Sequence, residues 1–110
     1  MGWQLRHNGA GDRVYDRIVI THVVMMKMHD SADRLEAATR LRDMAGKIPE
    51  LLSVEVLIDD LGRPGAFDLV LRSTHTDEAG LHAYVEHPVH QELLEWLGPR
   101  LADRAVVDAR

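Results

Sequence analysis

The chain contains no cysteine. That excludes disulfides, a thiolate nucleophile and any cysteine-based zinc site. It suits a reducing compartment, so a cytoplasmic location is expected. Long apolar runs are missing too. The longest, Val23-Val24-Met25-Met26, is far too short to cross a membrane, and the N-terminus lacks the basic-then-apolar pattern of a secretory leader. No membrane partner is therefore expected. There is no basic block, and the formal net charge is -5, which speaks against a nucleic-acid partner. Aromatic residues are scarce: one Phe, two Tyr and two Trp. The core must be mainly aliphatic, with five Met available to fill irregular gaps. No glycine-rich phosphate loop, G-x-S-x-G elbow or carboxylate pair on a defined face is present. Among the basic residues arginine dominates, lysine occurring only at Lys27 and Lys47, as in a GC-rich bacterial coding sequence.

What is present fits one domain in 110 residues. Residues 1–16, broken by Gly2, Asn8, Gly9, Gly11 and Asp12, read as an N-terminal extension to a domain over 17–110. Arg17 to Met28 reads as a strand whose even positions, Ile18, Ile20, His22, Val24 and Met26, share one face. Ser31 is the expected N-cap of a helix with the stripe Leu35, Ala38, Leu41, Met44 or Ala45, and Ile48, ended by Pro49. Leu52 to Asp59 and Phe67 to Thr74 form an expected antiparallel pair around the turn-rich Asp60–Gly65. Thr76 opens a second helix that buries Leu81, Tyr84 and Val85. Pro88 interrupts it and starts another segment through Leu93, Leu94 and Trp96, stopped by Gly98-Pro99. Arg104 to Asp108 is the last strand. The order β-α-β-β-α-β predicts an α+β, ferredoxin-like subunit with an antiparallel sheet. Two helices cover one sheet face. The other face, apolar in the same reading, is expected to meet a second copy in a homodimer.

Chemistry concentrates in Ala83-Tyr84-Val85-Glu86-His87-Pro88-Val89-His90. With a helix starting at Pro88, His87 is its N-cap and His90 lies in its first turn. The positive end of the helix dipole, together with burial, favours neutral imidazole at His90, as a general base requires. Tyr84, one turn before the break, is placed to hydrogen-bond a carbonyl oxygen and stabilise an enolate. His22, on the strand beneath, completes a polar cluster in an apolar pocket suited to a small molecule. The plainer alternatives are a core tyrosine, a capping histidine and a hydrogen-bonded strand histidine. His22, His87 and His90, with Glu86 nearby, also raise a metal reading. Their spacing crosses a proline and matches no helical zinc motif, so no metal and no cofactor is expected. His75 and His82 are expected to be exposed. His7 and His29 fall in or beside loops, and none of these four is given a role.

Several segments together resemble the stress-responsive dimeric α/β-barrel (Dabb) family. They are Thr21-His22-Val23-Val24, Ile48-Pro49, Phe67-Asp68-Leu69-Val70-Leu71, Tyr84-x-x-His87-Pro88-x-His90 and Val106-Val107-Asp108. The resemblance spans about Arg17 to Asp108. It implies the ferredoxin-like subunit and a homodimer whose two sheets pack into a barrel. Through the family's polyketide cyclases of the olivetolic acid cyclase type, it also implies a role for each matching residue. His90 matches the general base, Tyr84 the substrate-orienting phenol, and His22 and His87 the accompanying substrate-binding histidines. The implied reaction is an intramolecular aldol closure without cofactor or metal. Two alternatives stand beside it: a non-catalytic stress-related dimer that binds a ligand or protein, and a cofactor-free monooxygenase on the same barrel.

Overall fold

The computed structural model describes residues 19–110, and the extension expected over 1–16 lies outside them. The elements run β1 (Ile20–Met28), α1 (Arg34–Arg42), β2 (Ser53–Ile58), β3 (Leu69–His75), α2 (Glu78–Glu86), α3 (Pro88–Leu97) and β4 (Leu101–Ala109). Short 3-10 turns, Ser31–Asp33 and Gly98–Arg100, precede α1 and β4. The four strands lie in the order β2-β3-β1-β4, and every neighbouring pair is antiparallel. This is the expected ferredoxin-like arrangement, with the second helix divided at Pro88.

Pairing explains which side chains share a face. Val24 sits opposite Leu71 on one side and Val106 on the other, and Leu71 is opposite Val56. Directly paired residues point the same way. Ile20, Val24 and Met26 therefore join Val56, Leu69 and Leu71 beneath the helices, where all are buried. Ala37, Ala38 and Leu41 of α1, Leu81 and Tyr84 of α2, and Leu93 and Leu97 of α3 close the core from above. Burying a side chain such as Leu41 contributes about 1.5–3 kcal/mol.

The helix starts differ from expectation. Asp30, not Ser31, accepts from the Ala32 amide at the first helical turn, and Asp77, not Thr76, accepts from the Gly80 amide at α2. A carboxylate one residue nearer or farther is an equally good acceptor for an orphan amide. The α1 stripe shifts as well. Leu35 is 58% exposed, while Ala37 is fully buried. The small pair Ala37-Ala38 faces the sheet in place of a leucine.

Two stitches hold the sheet's cavity end. Buried Asp68 accepts from the Met28 amide at 2.7 Å, and its own amide donates to the Met26 carbonyl at 2.9 Å. Between β1 and β4 the register slips. Lys27 pairs with Asp103 but Met28 pairs with Leu101, so Ala102 is an extra residue, a β-bulge. In the β2–β3 connection, Gly62 and Gly65 take positive φ values of 61° and 84°, which glycine adopts without a steric penalty. No helix among the described residues is long and apolar enough to cross a membrane.

Candidate active site

Pro88 sets the geometry of the site. Proline disfavours helical backbone for the residue before it, and His87 is extended at φ -63°, ψ 139°. The chain turns there, and α3 starts with Pro88 in its first turn. His87 Nδ1 accepts from the Val89 amide at 3.1 Å and so caps α3. The break places Tyr84, near the end of α2, against His90, in the first turn of α3. Their ring centroids are 4.6 Å apart.

Each polar group here has a distinct state. His90 Nδ1 lies 2.8 Å from the Val85 carbonyl. A carbonyl only accepts, so Nδ1 carries the hydrogen and Nε2 is left as a bare acceptor. Burial holds the His90 pKa below the ordinary 6.5; the Val85 hydrogen bond opposes this, and the charges of His22 and His75 add to it. Tyr84 is only 1% exposed, and burial pushes its phenol up to about 12. Among the described residues its hydroxyl makes no hydrogen bond, and burial is the sole cause of its shift. His22 Nδ1 donates to the Asp108 carboxylate at 2.5 Å, across the β1–β4 pair that sets them opposite one another. The His22 ring stands edge-on to Tyr84 at 6.3 Å.

His75 corrects an expectation. It is fully buried, not exposed, and its ring lies 4.7 Å from Tyr84. Its Nδ1 donates to the Glu50 carbonyl at 2.9 Å, and its Nε2 accepts from Ser73 Oγ at 2.9 Å. Burial lowers its pKa, the Glu50 hydrogen bond opposing. The signal was in the alternation: His75 is in phase with Leu69, Leu71 and Ser73, once β3 is extended by one residue. Asp108 was also without an assigned partner. It stands opposite His22, a pairing that no local pattern reveals. His82 is exposed, as expected.

Above these groups lies a cavity of about 460 Å³. His22, Tyr84 and His90 line one end of it. Val24, Met26, Leu71, Leu93, Leu97 and Val106 supply apolar wall. Such a volume and lining suit a small organic molecule. His87 is not part of this wall. It caps α3 at the helix break instead of joining His22, Tyr84 and His90 on the cavity wall. The three-histidine metal arrangement is not assembled either. His87 Nδ1 is committed to Val89, and among the described residues no three potential ligands stand together.

Comparison with known proteins bears on the fold and the family. An uncharacterized protein of Streptomyces coelicolor is 32% identical over 78 residues, covering 66% of this chain and 80% of its own. A dimeric ferredoxin-like protein of unknown function from Thermobifida fusca superposes with a TM-score of 0.75 at 28% identity, covering 90% of this chain and 97% of its own. A hydroxynitrile lyase from Passiflora edulis shares the fold, with a TM-score of 0.70 at 17% identity over 84% of this chain and 92% of its own. Residues 20–110 match the model of the stress responsive A/B barrel domain, so the chain belongs to the Dabb family.

Proposed function

We propose that this protein is a cofactor-independent acid–base enzyme of the polyketide cyclase type, acting on a small carbonyl compound. One observation carries the reading. A buried tyrosine hydroxyl with no hydrogen bond among the described residues shares a cavity wall with a histidine whose Nδ1 is tied to Val85. Buried hydroxyls in a finished core are normally hydrogen-bonded. This one has a hydrogen to give to a ligand oxygen.

In this reading His90 Nε2 takes a proton from the carbon next to a carbonyl. The C–H electron pair becomes an enolate, whose oxygen accepts the Tyr84 hydrogen bond as charge develops. The enolate carbon then attacks a second carbonyl of the same molecule, forming the ring bond. The resulting alkoxide recovers the proton from His90, which returns to its neutral state. His22, held by Asp108, orients the substrate from the strand side.

Solvent deuterium exchange at the α-carbon of a linear 3,5,7-triketo thioester, with ring closure between C2 and C7 followed by mass spectrometry, tests this. His90→Ala should lower the rate by about 10²–10⁴. Unchanged exchange and closure in that variant would remove His90 as the base.

The dimer belongs to the same proposal. The sheet face away from the helices carries Val23, Met25, Leu57, Val70 and Val107. Met25 is 41% exposed, and Leu57 and Val107 are each 60% exposed. We assign this face to a second copy, which would bury it about a two-fold axis. The Thermobifida fusca relative is described as dimeric.

A further inference from the structure

The cavity has a second polar pole that the proposed chemistry does not use. Arg104 of β4 lines it, and among the described residues it forms no ion pair. No carboxylate lines the cavity beside it, so it is the one permanently charged group of the described wall. Arg104 pairs with Met26, whereas Asp108 pairs with His22. Four residues of extended chain separate the two positions, about 13 Å. The wall between them is apolar: Val24 and Val106 face each other there. The cavity thus has a proton-transfer end, a greasy middle and a cationic end.

We propose that Arg104 selects a ligand with a carboxylate at the end remote from its reacting carbonyl. This rests on reading the cavity as a small-molecule site, and it deepens that reading by naming the substrate class: an elongated, apolar keto acid. The planar guanidinium fork matches a carboxylate in two parallel hydrogen bonds. An arginine at a partly wet rim keeps only part of the strength of such a pair, so a discrimination of about five- to tenfold is expected.

Calorimetric titration with octanoate and with 1-octanol isolates this end of the cavity from the chemistry. The native chain should bind octanoate about five- to tenfold more tightly than 1-octanol. Arg104→Leu should bind the two equally while keeping its affinity for the alcohol, and Arg104→Lys should recover part of the preference. Equal binding by the native chain, or a preference that survives Arg104→Leu, would overturn the Arg104 assignment alone. In that case the guanidinium merely reaches solvent over an apolar rim. Binding of neither probe would overturn both the assignment and the small-molecule reading of the cavity. Exchange and ring closure are measured apart from these affinities, so an inactive native chain that still prefers octanoate would sink the catalytic proposal and leave the Arg104 assignment standing.

Discussion

Tyr84 and His90 belong to two different helices, yet their ring centroids are 4.6 Å apart, closer than the 6.3 Å between Tyr84 and His22. The Pro88 break makes this possible. In one continuous helix, residues six apart would project from different faces. Tyr84→Phe removes one oxygen and keeps the ring packing. If the hydroxyl serves a ligand, turnover should fall by about 10²–10³. The thermal midpoint should stay level or rise, because no hydrogen bond to the described residues is lost. A drop in midpoint with undiminished turnover would assign the tyrosine to the core.

His87 should separate structural from chemical effects. Its side chain caps α3 through the Val89 amide. His87→Ala should cost about 1 kcal/mol in urea unfolding, the usual worth of an N-cap. His87→Asn, a good cap, should restore most of it. Substrate affinity measured at saturating folded protein should barely move in either variant. A large rise in KM without a stability change would return His87 to the binding wall.

Acid should weaken the fold in a specific window. His75 and His90 have pKa values held below 6.5 in the native protein. The unfolded chain therefore binds protons that the native chain refuses, and stability rises with pH. Their contribution is present in full above 6.5 and is lost as pH falls below it. The loss should be measurable as a lower melting temperature at pH 5.5 than at pH 7.5. His75→Asn cannot titrate and should show a smaller difference. At the other extreme, native Tyr84 holds its proton to about 12 against an ordinary 10.0, so stability should decline as pH climbs from 10 towards 12.

Truncating His75 tests its place in the core at neutral pH. His75→Ala would leave Ser73 Oγ and the Glu50 carbonyl without their present partners and open a void beneath Tyr84. A loss of about 2–4 kcal/mol is expected in chemical denaturation.

The open sheet face makes a prediction about assembly. Val107 and Met25 lie on the same side of neighbouring strands, both partly exposed. A charge placed there should prevent two apolar faces from meeting. Val107→Glu is expected to shift the mass measured by light scattering from twice the chain mass to once. A native chain that is already monomeric at micromolar concentration would remove the dimer proposal.

Much of this was legible in residue patterns, for identifiable reasons. The alternation of Ile20, His22, Val24 and Met26 placed His22 on the covered face, and Pro88 placed Tyr84 beside His90. Both are local rules, one of strand period and one of backbone sterics. His75 was missed because Ser73 breaks the apolar run of β3 just before it. A serine that hydrogen-bonds a buried imidazole looks, in sequence, like the end of a strand. Leu35 and Ala37 were exchanged because hydrophobicity ranks leucine above alanine. Close helix–sheet contact instead favours the smaller side chain. Asp108 and Arg104 needed the strand pairing itself, which joins residues more than 75 positions apart.

The bulge at Ala102 decides which half of β4 the cavity sees. A strict alternation from Leu101 would send Arg104, Val106 and Asp108 to the open face, because all three differ from Leu101 in parity. The extra residue inverts the count, so Leu101 and all three line up with β1's cavity-facing positions. Deleting Ala102 would therefore only remove the kink, because Leu101 opposite Met28 and Asp103 opposite Lys27 would become consecutive residues of a regular ladder. The anchor of His22 and the cationic end of the cavity would keep their side of the sheet, so the extra residue is a splice that lets Leu101 and the rest of β4 serve one wall.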